Sequence, residues 1–300
     1  MDTLIYWPAR ALVAFIQALP LPLVARLGRL AGGLAFHLDA RHRRVALGNL
    51  AMCFGHEKSP VEIRALAREN FRRIGENFAS AVKTAAMTPE QMHHHFEFVG
   101  VEKILKFQTQ TGPQSRIVAI GHFGNFELYA RFGQFMPIFQ CATTYRGLRQ
   151  PSLNRLMQSL RETSTCRFFE RRTEGRALRA CMTDTGLLLG LLADQSDGQL
   201  RLPFLGHDCA TSNAPAIFAL RYRCPLHTAI CYRVGLGQWL IEAGDEIPTR
   251  ENGQPRTVAA IMGDVNRAFE VAVRRDPANW FWVHRRWKAA ETKAKMEDGG

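Results

Sequence analysis

The sequence lacks paired cysteines, and this absence excludes two kinds of site. Its seven cysteines are scattered, odd in number and never arranged as Cys-x-x-Cys. Neither a disulfide framework nor a zinc site is predicted, and reduced thiols in a cytosolic compartment fit this usage best. Repeats and low-complexity tracts are also missing. The 300 residues, 46% of them hydrophobic, therefore predict one large domain or one domain with an N-terminal addition.

A long uninterrupted apolar run is missing too, although a spanning helix needs about 20 such residues. The most apolar stretch, residues 4–38, is broken by Arg10, Arg26 and Arg29. This pattern favours amphipathic helices lying at a membrane interface over a tilted spanning helix. A pair of ordinary core helices is a further alternative. A cleavable signal peptide is not predicted, because no small-residue cleavage site follows a clean apolar core.

Acidic residues are in deficit, with 27 against 39 basic residues and a formal charge of +12. Such a chain prefers anionic partners, which include phosphorylated lipids, membrane surfaces, nucleic acids and acidic proteins. A basic cluster at residues 41–44 follows the apolar stretch, as expected of a segment that faces anionic headgroups. Charge alone does not choose among these partners.

Three consecutive histidines, His93 to His95, look like a metal cluster. Neighbouring residues in a regular element point in different directions, so the three rings cannot converge on one ion. A solvated linker or a helix end is the better interpretation. We predict no metal and no cofactor.

Strand and helix patterns alternate from residue 96 onward, after a helix whose start is marked by Ser59, Pro60 and Glu62. The predicted strands are Phe96 to Val99, Arg116 to Ile120, Gln140 to Tyr145, Gly186 to Ala193, Leu226 to Tyr232 and Gln238 to Ala243. The predicted helices are Val101 to Phe107, Phe126 to Phe135, Ser152 to Thr163, Glu174 to Thr185, Ala214 to Tyr222 and Thr257 to Arg275. This alternation predicts an α/β fold with a layered, mostly parallel sheet flanked by helices.

The first candidate site lies where the strand ending at Ile120 turns into a helix. His122 and Glu127 cannot share a helical face, because five steps of about 100° leave them roughly 140° apart. If His122 ends the strand and Glu127 lies in the first helical turn, the carboxylate can fold back onto one ring nitrogen. The other nitrogen would then act as a general base. The alternative is a buried histidine satisfied by chance and an exposed helical glutamate.

Residues around this pair extend the candidate site. Gly121 and Gly124 permit a tight backbone path, and Asn125 is a predicted helix N-cap. Arg146 and Arg149 follow a neighbouring predicted strand, where an arginine can hold a phosphate or stabilise developing negative charge. Solvated loop arginines are the alternative for both.

Two further stretches carry polar groups. Asp194 ends an apolar strand together with Gln195, and its simplest alternative role is to cap a loop. Residues 276–288 interleave three tryptophans with basic residues, a pattern that suits a membrane interface or single-stranded nucleic acid equally well.

Together these motifs resemble the late acyltransferases of lipid A biosynthesis, the lauroyl and myristoyl transferase group. This group lies within the lysophospholipid acyltransferase superfamily, whose mark is His-x4-Asp/Glu. The resemblance covers nearly the whole chain. It rests on residues 44–50, Cys53-Phe54, 121–127, Tyr145-Arg146, 193–195, 204–206 and 282–288.

The resemblance implies transfer of a fatty acyl group from a thioester, on acyl carrier protein or coenzyme A, to a hydroxyl of a membrane glycolipid such as a lipid A precursor. His122 would be the general base, oriented by Glu127. Arg146 would bind acceptor phosphate or the oxyanion, and Asp194 would orient a polar group in the site. Asn125 and Arg149 are further substrate-binding candidates.

The same resemblance implies a location, and together with the residue patterns it predicts the domain organisation. It places the enzyme at the cytoplasmic face of a bacterial inner membrane. Residues 1–40 would be membrane-associated apolar helices, residues 41–290 the α/β acyltransferase domain and residues 291–300 a flexible tail.

Three alternatives stay open at the level of sequence. The acceptor could be another lipid, of the phosphatidylinositol mannoside or lysophospholipid type. The same histidine and glutamate could activate water in a thioester hydrolase. A basic nucleic-acid-binding protein is the third, although no glycine-rich nucleic-acid motif or zinc pattern supports it.

Overall fold

The structure, a computed structural model, describes residues 2–105, 108–109, 112–113, 115–183, 187–195 and 200–287. The predicted tail at residues 291–300 and the motif end at Lys288 lie outside the described residues. So do the predicted element ends at Phe107, Thr185 and Gly186.

The described helices lie mainly at the two ends of the chain and between strands. They are α1 (Asp2–Ala18), α2 (Leu21–Leu38), α3 (Ala40–Phe54), α4 (Pro60–Thr84), α5 (Pro89–Met92), α6 (Val101–Leu105), α7 (Phe132–Phe135), α8 (Pro151–Ser159), α9 (Gly175–Cys181), α10 (Ala214–Tyr222) and α11 (Val258–Arg275). Short 3₁₀ helices occupy Phe126–Arg131, Glu162–Ser164 and Pro277–Asn279. The Ser59 side chain and Glu62 form a reciprocal capping box at the start of α4, as predicted.

The described strands form one large sheet and three two-stranded ladders. They are β1 (Phe96–Val99), β2 (Gln108–Thr109), β3 (Gly112–Pro113), β4 (Arg116–Ile120), β5 (Gln140–Tyr145), β6 (Arg167–Glu170), β7 (Leu187–Leu192), β8 (Leu200–Phe204), β9 (His207–Thr211), β10 (Leu226–Gly235), β11 (Gln238–Ala243), β12 (Arg250–Glu251) and β13 (Gln254–Pro255). The large sheet has the order β1-β11-β10-β4-β7-β5-β6. The β10–β11 pair is antiparallel and the other neighbours are parallel, which confirms the predicted α/β fold.

Three local predictions were incomplete or wrong. Strand β6, at the edge of the sheet, was not predicted. Its two phenylalanines are flanked by the charged residues Arg167 and Glu170, so the apolar run is too short to indicate a strand. The β8–β9 hairpin was also missed, and its turn is Leu205-Gly206, both with positive φ. The helix predicted from Phe126 to Phe135 is a 3₁₀ segment followed by one turn of α-helix.

Each face of the large sheet carries its own apolar cluster. Strand β4 is buried throughout, and its residues alternate between the clusters: Ile117 and Ala119 belong to one, Val118 and Ile120 to the other. The first cluster includes α10, α11 and the C-terminal tryptophans. The second lies beneath the 3₁₀ segment and α7. The same alternation beyond Ile120 determines on which face of the sheet each following side chain lies.

Helix α2 packs against α4 with backbone close to backbone. A Cβ atom on Gly28 or Gly32 would overlap the backbone of α4, at Gly75 and Phe71 respectively. The fully buried carboxylate of Glu76 then accepts from Arg29 on α2 at 3.2 Å. These contacts tie α2 closely to α4, and the predicted domain boundary at residue 40 stays a prediction.

The opposite face of α2 is apolar and exposed. It presents a stripe of five leucines at helical spacing, which are Leu23, Leu27, Leu30, Leu34 and Leu38. Within the part of the chain that the structure describes, no helix combines the length and apolarity that a membrane crossing requires.

The glycine contacts predict an asymmetric effect of alanine along α2. We expect Gly32→Ala to lower the free energy of unfolding by about 1–3 kcal/mol, because the added methyl overlaps the Phe71 carbonyl. Gly33→Ala is the matched control: its methyl would meet only the Arg72 side chain, at 3.6 Å, and alanine raises helix propensity. Urea titrations of both variants measure the difference. Equal stabilities would contradict the close packing.

Candidate active site

The pairing of two central strands brings His122 and Asp194 together. Strands β4 and β7 are parallel neighbours, with Ile120 opposite Leu192. His122 and Asp194 each lie two residues beyond these partners, so both occur at the same carboxyl edge of the sheet. The Ala193 N–H donates to the Ile120 carbonyl at 2.9 Å and extends the pairing to the edge.

The Asp194 carboxylate holds His122 through both of its oxygens. The His122 Nδ1 lies 2.8 Å from Oδ1, and the His122 backbone N–H donates to Oδ2, also at 2.8 Å. An ionised carboxylate only accepts hydrogen bonds, so the ring proton belongs on Nδ1 and the lone pair on Nε2. The Gln195 amide nitrogen lies 3.4 Å from Nε2, which is long for a hydrogen bond.

Asp194 is almost completely buried, yet it favours its charged form. Burial by itself would raise the pKa of Asp194. The electrostatic interaction with His122, the two hydrogen bonds from His122 and the one from the Trp280 indole outweigh burial and lower this pKa to about 2. Asp194 is therefore ionised at neutral pH.

The predicted contact between His122 and Glu127 is wrong. Both Glu127 oxygens accept from Arg161, at 2.6 Å and 3.1 Å, and the guanidinium lies over the Phe168 ring. The 3₁₀ geometry after Asn125 carries the carboxylate towards Arg161, while Asp194 occupies His122 Nδ1. Arg161 was not predicted as a site residue, because it lies 34 residues beyond Glu127, within the predicted helix from Ser152 to Thr163.

The turn between β4 and the 3₁₀ segment matches the prediction in its glycines and differs at Asn125. Gly124 has φ of +50°, and a Cβ atom there would lie 2.6 Å from the Cys231 carbonyl oxygen. Asn125 occupies the predicted N-cap position, but its side chain makes no capping hydrogen bond. Its side chain is buried and lines a narrow crevice together with His122 and Glu127.

A large apolar cavity of about 550 Å³ lies on the face of the sheet that His122 reaches. Val118, Ile120 and His122 alternate onto this face, so the imidazole follows two aliphatic wall residues. The wall also includes Gly190 on β7 and Val13 on α1. This volume falls in the range of small-molecule pockets.

Charged side chains also line this cavity. Glu127, Arg161 and Arg146 contribute to its wall, so the structure brings Arg146 to the same site as His122. Arg149 is exposed on the loop that follows Arg146 and does not line the cavity. Within the described residues, no cluster of His, Cys, Asp and Glu has the grouping of a metal site.

In the tryptophan-rich C-terminal segment, residues 277–287, two of the three tryptophans pack inside the fold. Trp280 and Trp282 are fully buried, which corrects their predicted contact with a membrane or a nucleic acid. The Trp280 indole Nε1 donates to Asp194 Oδ2 at 2.8 Å. Because Trp280 lies 86 residues beyond Asp194, the sequence pattern could not indicate this contact.

Comparisons with known proteins match the chain to one family over nearly its whole length. The family model for bacterial lipid A biosynthesis acyltransferases matches residues 1–289. The lipid A biosynthesis palmitoleoyltransferase of Escherichia coli K12 is 25% identical over 282 residues, which cover 90% of this chain and 86% of that protein. A lipid A biosynthesis acyltransferase of Shigella flexneri matches with the same identity and coverage. The lipid A biosynthesis lauroyltransferase of E. coli K12 is 25% identical over 293 residues, which cover 94% of this chain and 90% of that protein.

Proposed function

The chain belongs to the bacterial lipid A biosynthesis acyltransferase family, and we propose that it transfers a fatty acyl group from a thioester donor to a hydroxyl of a lipid A precursor, with His122 as general base. One observation supports this chemistry above the others. The imidazole is held through Nδ1 by a buried carboxylate and lies beside an apolar cavity of about 550 Å³.

The transfer proceeds by direct attack. His122 Nε2 takes the proton from the acceptor hydroxyl as its oxygen forms a bond to the thioester carbonyl carbon. The tetrahedral intermediate collapses, the carbon–sulfur bond breaks, and the leaving thiolate receives the proton from Nε2. The products are the acylated acceptor and the free thiol, and the base is neutral again.

Asp194 supports this cycle as the partner of His122. Its negative charge stabilises the imidazolium that forms when the proton is taken, and its two hydrogen bonds fix the orientation of the ring. We therefore assign to Asp194 the orienting role that was predicted for Glu127.

Glu127 contributes through its ion pair with Arg161. This pair lines the cavity beside His122, where it fixes a charged wall for the polar part of a substrate. Arg146 lines the same cavity and is the proposed cation for the acceptor phosphate or the oxyanion. Arg149, exposed on the next part of this loop, suits a phosphate outside the cavity, and Asn125 suits a polar substrate group in the crevice.

The donor is an acyl carrier protein or an acyl-coenzyme A, and the apolar cavity receives its acyl chain. Both donors are anionic, which fits the formal charge of +12. All seven cysteines are free, which supports the cytoplasmic face of a bacterial inner membrane as the location.

The exposed leucine stripe of α2 supports attachment at the membrane interface. Helix α1 adds the exposed side chains of Trp7, Leu12 and Phe15. The same helix contributes Val13 to the cavity wall, so this apolar surface lies close to the cavity. A lipid acceptor could then reach the site from the bilayer surface.

The first test removes the two residues of the His-x4-Glu motif. We expect His122→Ala and Glu127→Ala to reduce acyl transfer at least about 100-fold, because the base or the charged wall is lost. The assay follows labelled acyl groups from acyl carrier protein to a purified lipid A precursor. Glu162→Ala is the control, since Glu162 is an exposed carboxylate next to Arg161. Near-normal transfer by His122→Ala would refute the mechanism, and donor cleavage without acceptor would indicate a hydrolase.

The second test reduces the volume of the cavity by enlarging a residue of its wall. Gly190 lies in the central strand β7, and a Cβ atom there would be 3.4 Å from Ile120 Cδ1. We expect Gly190→Val to shift the donor preference towards shorter acyl chains, measured as the activity ratio across a donor series. Leu189→Val changes the opposite face of the same strand and should leave this ratio unchanged. An unchanged activity ratio in Gly190→Val would show that the acyl chain does not bind in this cavity.

The third test concerns the leucine stripe. We expect the double variant Leu30→Gln, Leu34→Gln to lose most binding to phosphatidylethanolamine and phosphatidylglycerol vesicles, measured by sedimentation. Val271→Gln alters a similarly exposed valine on α11 and should sediment like the unmodified protein. If the double variant sediments equally well, the attachment site lies elsewhere.

A further inference from the structure

We propose that Trp280 is a positioning residue for the reaction: its indole N–H fixes the Asp194 carboxylate and thereby sets the pH range in which His122 works as a base. This inference rests on the proposed function, because it assumes that His122 accepts a proton. It concerns a contact of the C-terminal segment, far from the His-x4-Glu motif in sequence.

The geometry at Asp194 gives Trp280 a defined task. Oδ1 accepts from the His122 ring, and Oδ2 accepts from the His122 backbone N–H and from the Trp280 indole, each at 2.8 Å. Without the indole, Oδ2 would keep only the backbone donor. A buried carboxylate with fewer donors is less stabilised and becomes a stronger acceptor for the remaining ones.

The indole is itself held in one orientation. Its ring packs edge-on against Trp282 at 4.8 Å and tilted against Phe204 at 5.4 Å. The backbone of Trp280 pairs antiparallel with Phe123, and its carbonyl accepts from the buried Asn70 amide. These contacts therefore hold the Trp280 ring in one orientation. The indole N–H is the single donor of this side chain, and it binds Asp194.

The other ionisable groups around Asp194 do not take over this role. His284 is partly buried, and burial lowers its pKa although the charge of Asp194 acts in the opposite direction. Burial also lowers the pKa of Arg286, whose guanidinium donates to the Gln195 carbonyl at 2.6 Å. Tyr129, whose pKa burial raises, donates to the Ala229 carbonyl, and Glu127 pairs with Arg161. Among the described residues, the hydrogen bonds to Asp194 come from His122 and Trp280 alone.

Loss of the indole N–H has a directional effect on the base. The carboxylate would attract the Nδ1 proton more strongly and favour the imidazolium form of His122. The neutral imidazole that catalysis needs would then form at higher pH. The acid limb of the rate profile should move upward by about half a pH unit to one pH unit, with activity recovering at high pH.

The decisive comparison is Trp280→Phe against Trp282→Phe. Both tryptophans are fully buried in one aromatic cluster, but the Trp282 indole donates to the Pro277 carbonyl and not to Asp194. We expect the acid limb of kcat/KM against pH to shift upward in Trp280→Phe and to stay in place in Trp282→Phe. Equal loss of activity at every pH in Trp280→Phe would indicate a packing role only and overturn the inference.

Nuclear magnetic resonance gives a readout that needs no catalysis. In Trp280→Phe, the Nδ1 proton of His122 should resonate further downfield, because it bonds to a stronger acceptor. Replacement of Trp280 by benzothienylalanine keeps the ring shape without the N–H and serves if the phenylalanine variant is unstable. An unchanged Nδ1 resonance in either variant would also overturn the inference.

The two proposals fail in different ways. If His122→Ala keeps normal transfer, the proposed function is wrong whatever the tryptophan variants do. If His122→Ala is inactive while Trp280→Phe shows no shift of its pH profile or no change of its Nδ1 resonance, only the role of Trp280 is refuted.

Discussion

The parallel, in-register pairing of β4 with β7 is the constraint on which the site depends. Because Ile120 lies opposite Leu192, the next polar residues on both strands meet at one edge, and His122 contacts a buried carboxylate. The same alternation places Val118, Ile120 and His122 on the cavity side of the sheet. A register shift by one residue would send the imidazole to the opposite face, among the tryptophans.

Much of this architecture was predictable because local sequence patterns indicate it. The buried strands show apolar runs, and helix starts show their capping residues, so the strand from Arg116 to Ile120 was placed correctly by sequence alone. The contact between His122 and Asp194 could not be predicted in this way. It depends on the order of the strands in the sheet, and this order is a property of the whole chain. The nearest carboxylate in sequence, Glu127, lies in a 3₁₀ turn that leads to Arg161, whereas Asp194 arrives from 72 residues away.

The N-terminal helices combine two surfaces with opposite requirements. On its inner face, α2 uses Gly28 and Gly32 to bring its backbone against α4, and Arg29 reaches the buried Glu76. On its outer face the same helix exposes a row of leucines. Arg26 and Arg29 therefore interrupt the apolar run for different reasons: Arg29 serves the interior, while Arg26 is exposed. Sequence reasoning treated both as signs of a surface helix.

The C-terminal segment completes the hydrogen bonding at this edge of the sheet late in synthesis. During translation, a nascent polypeptide that has emerged from the ribosome as far as residue 270 already contains His122 and Asp194 but not Trp280. Neither the bridge between Phe123 and Trp280 nor the indole donor to Asp194 can form at that stage. Synthesis must therefore run through nearly the whole domain before the carboxylate acquires its full set of donors, and premature release products would carry an unfinished centre.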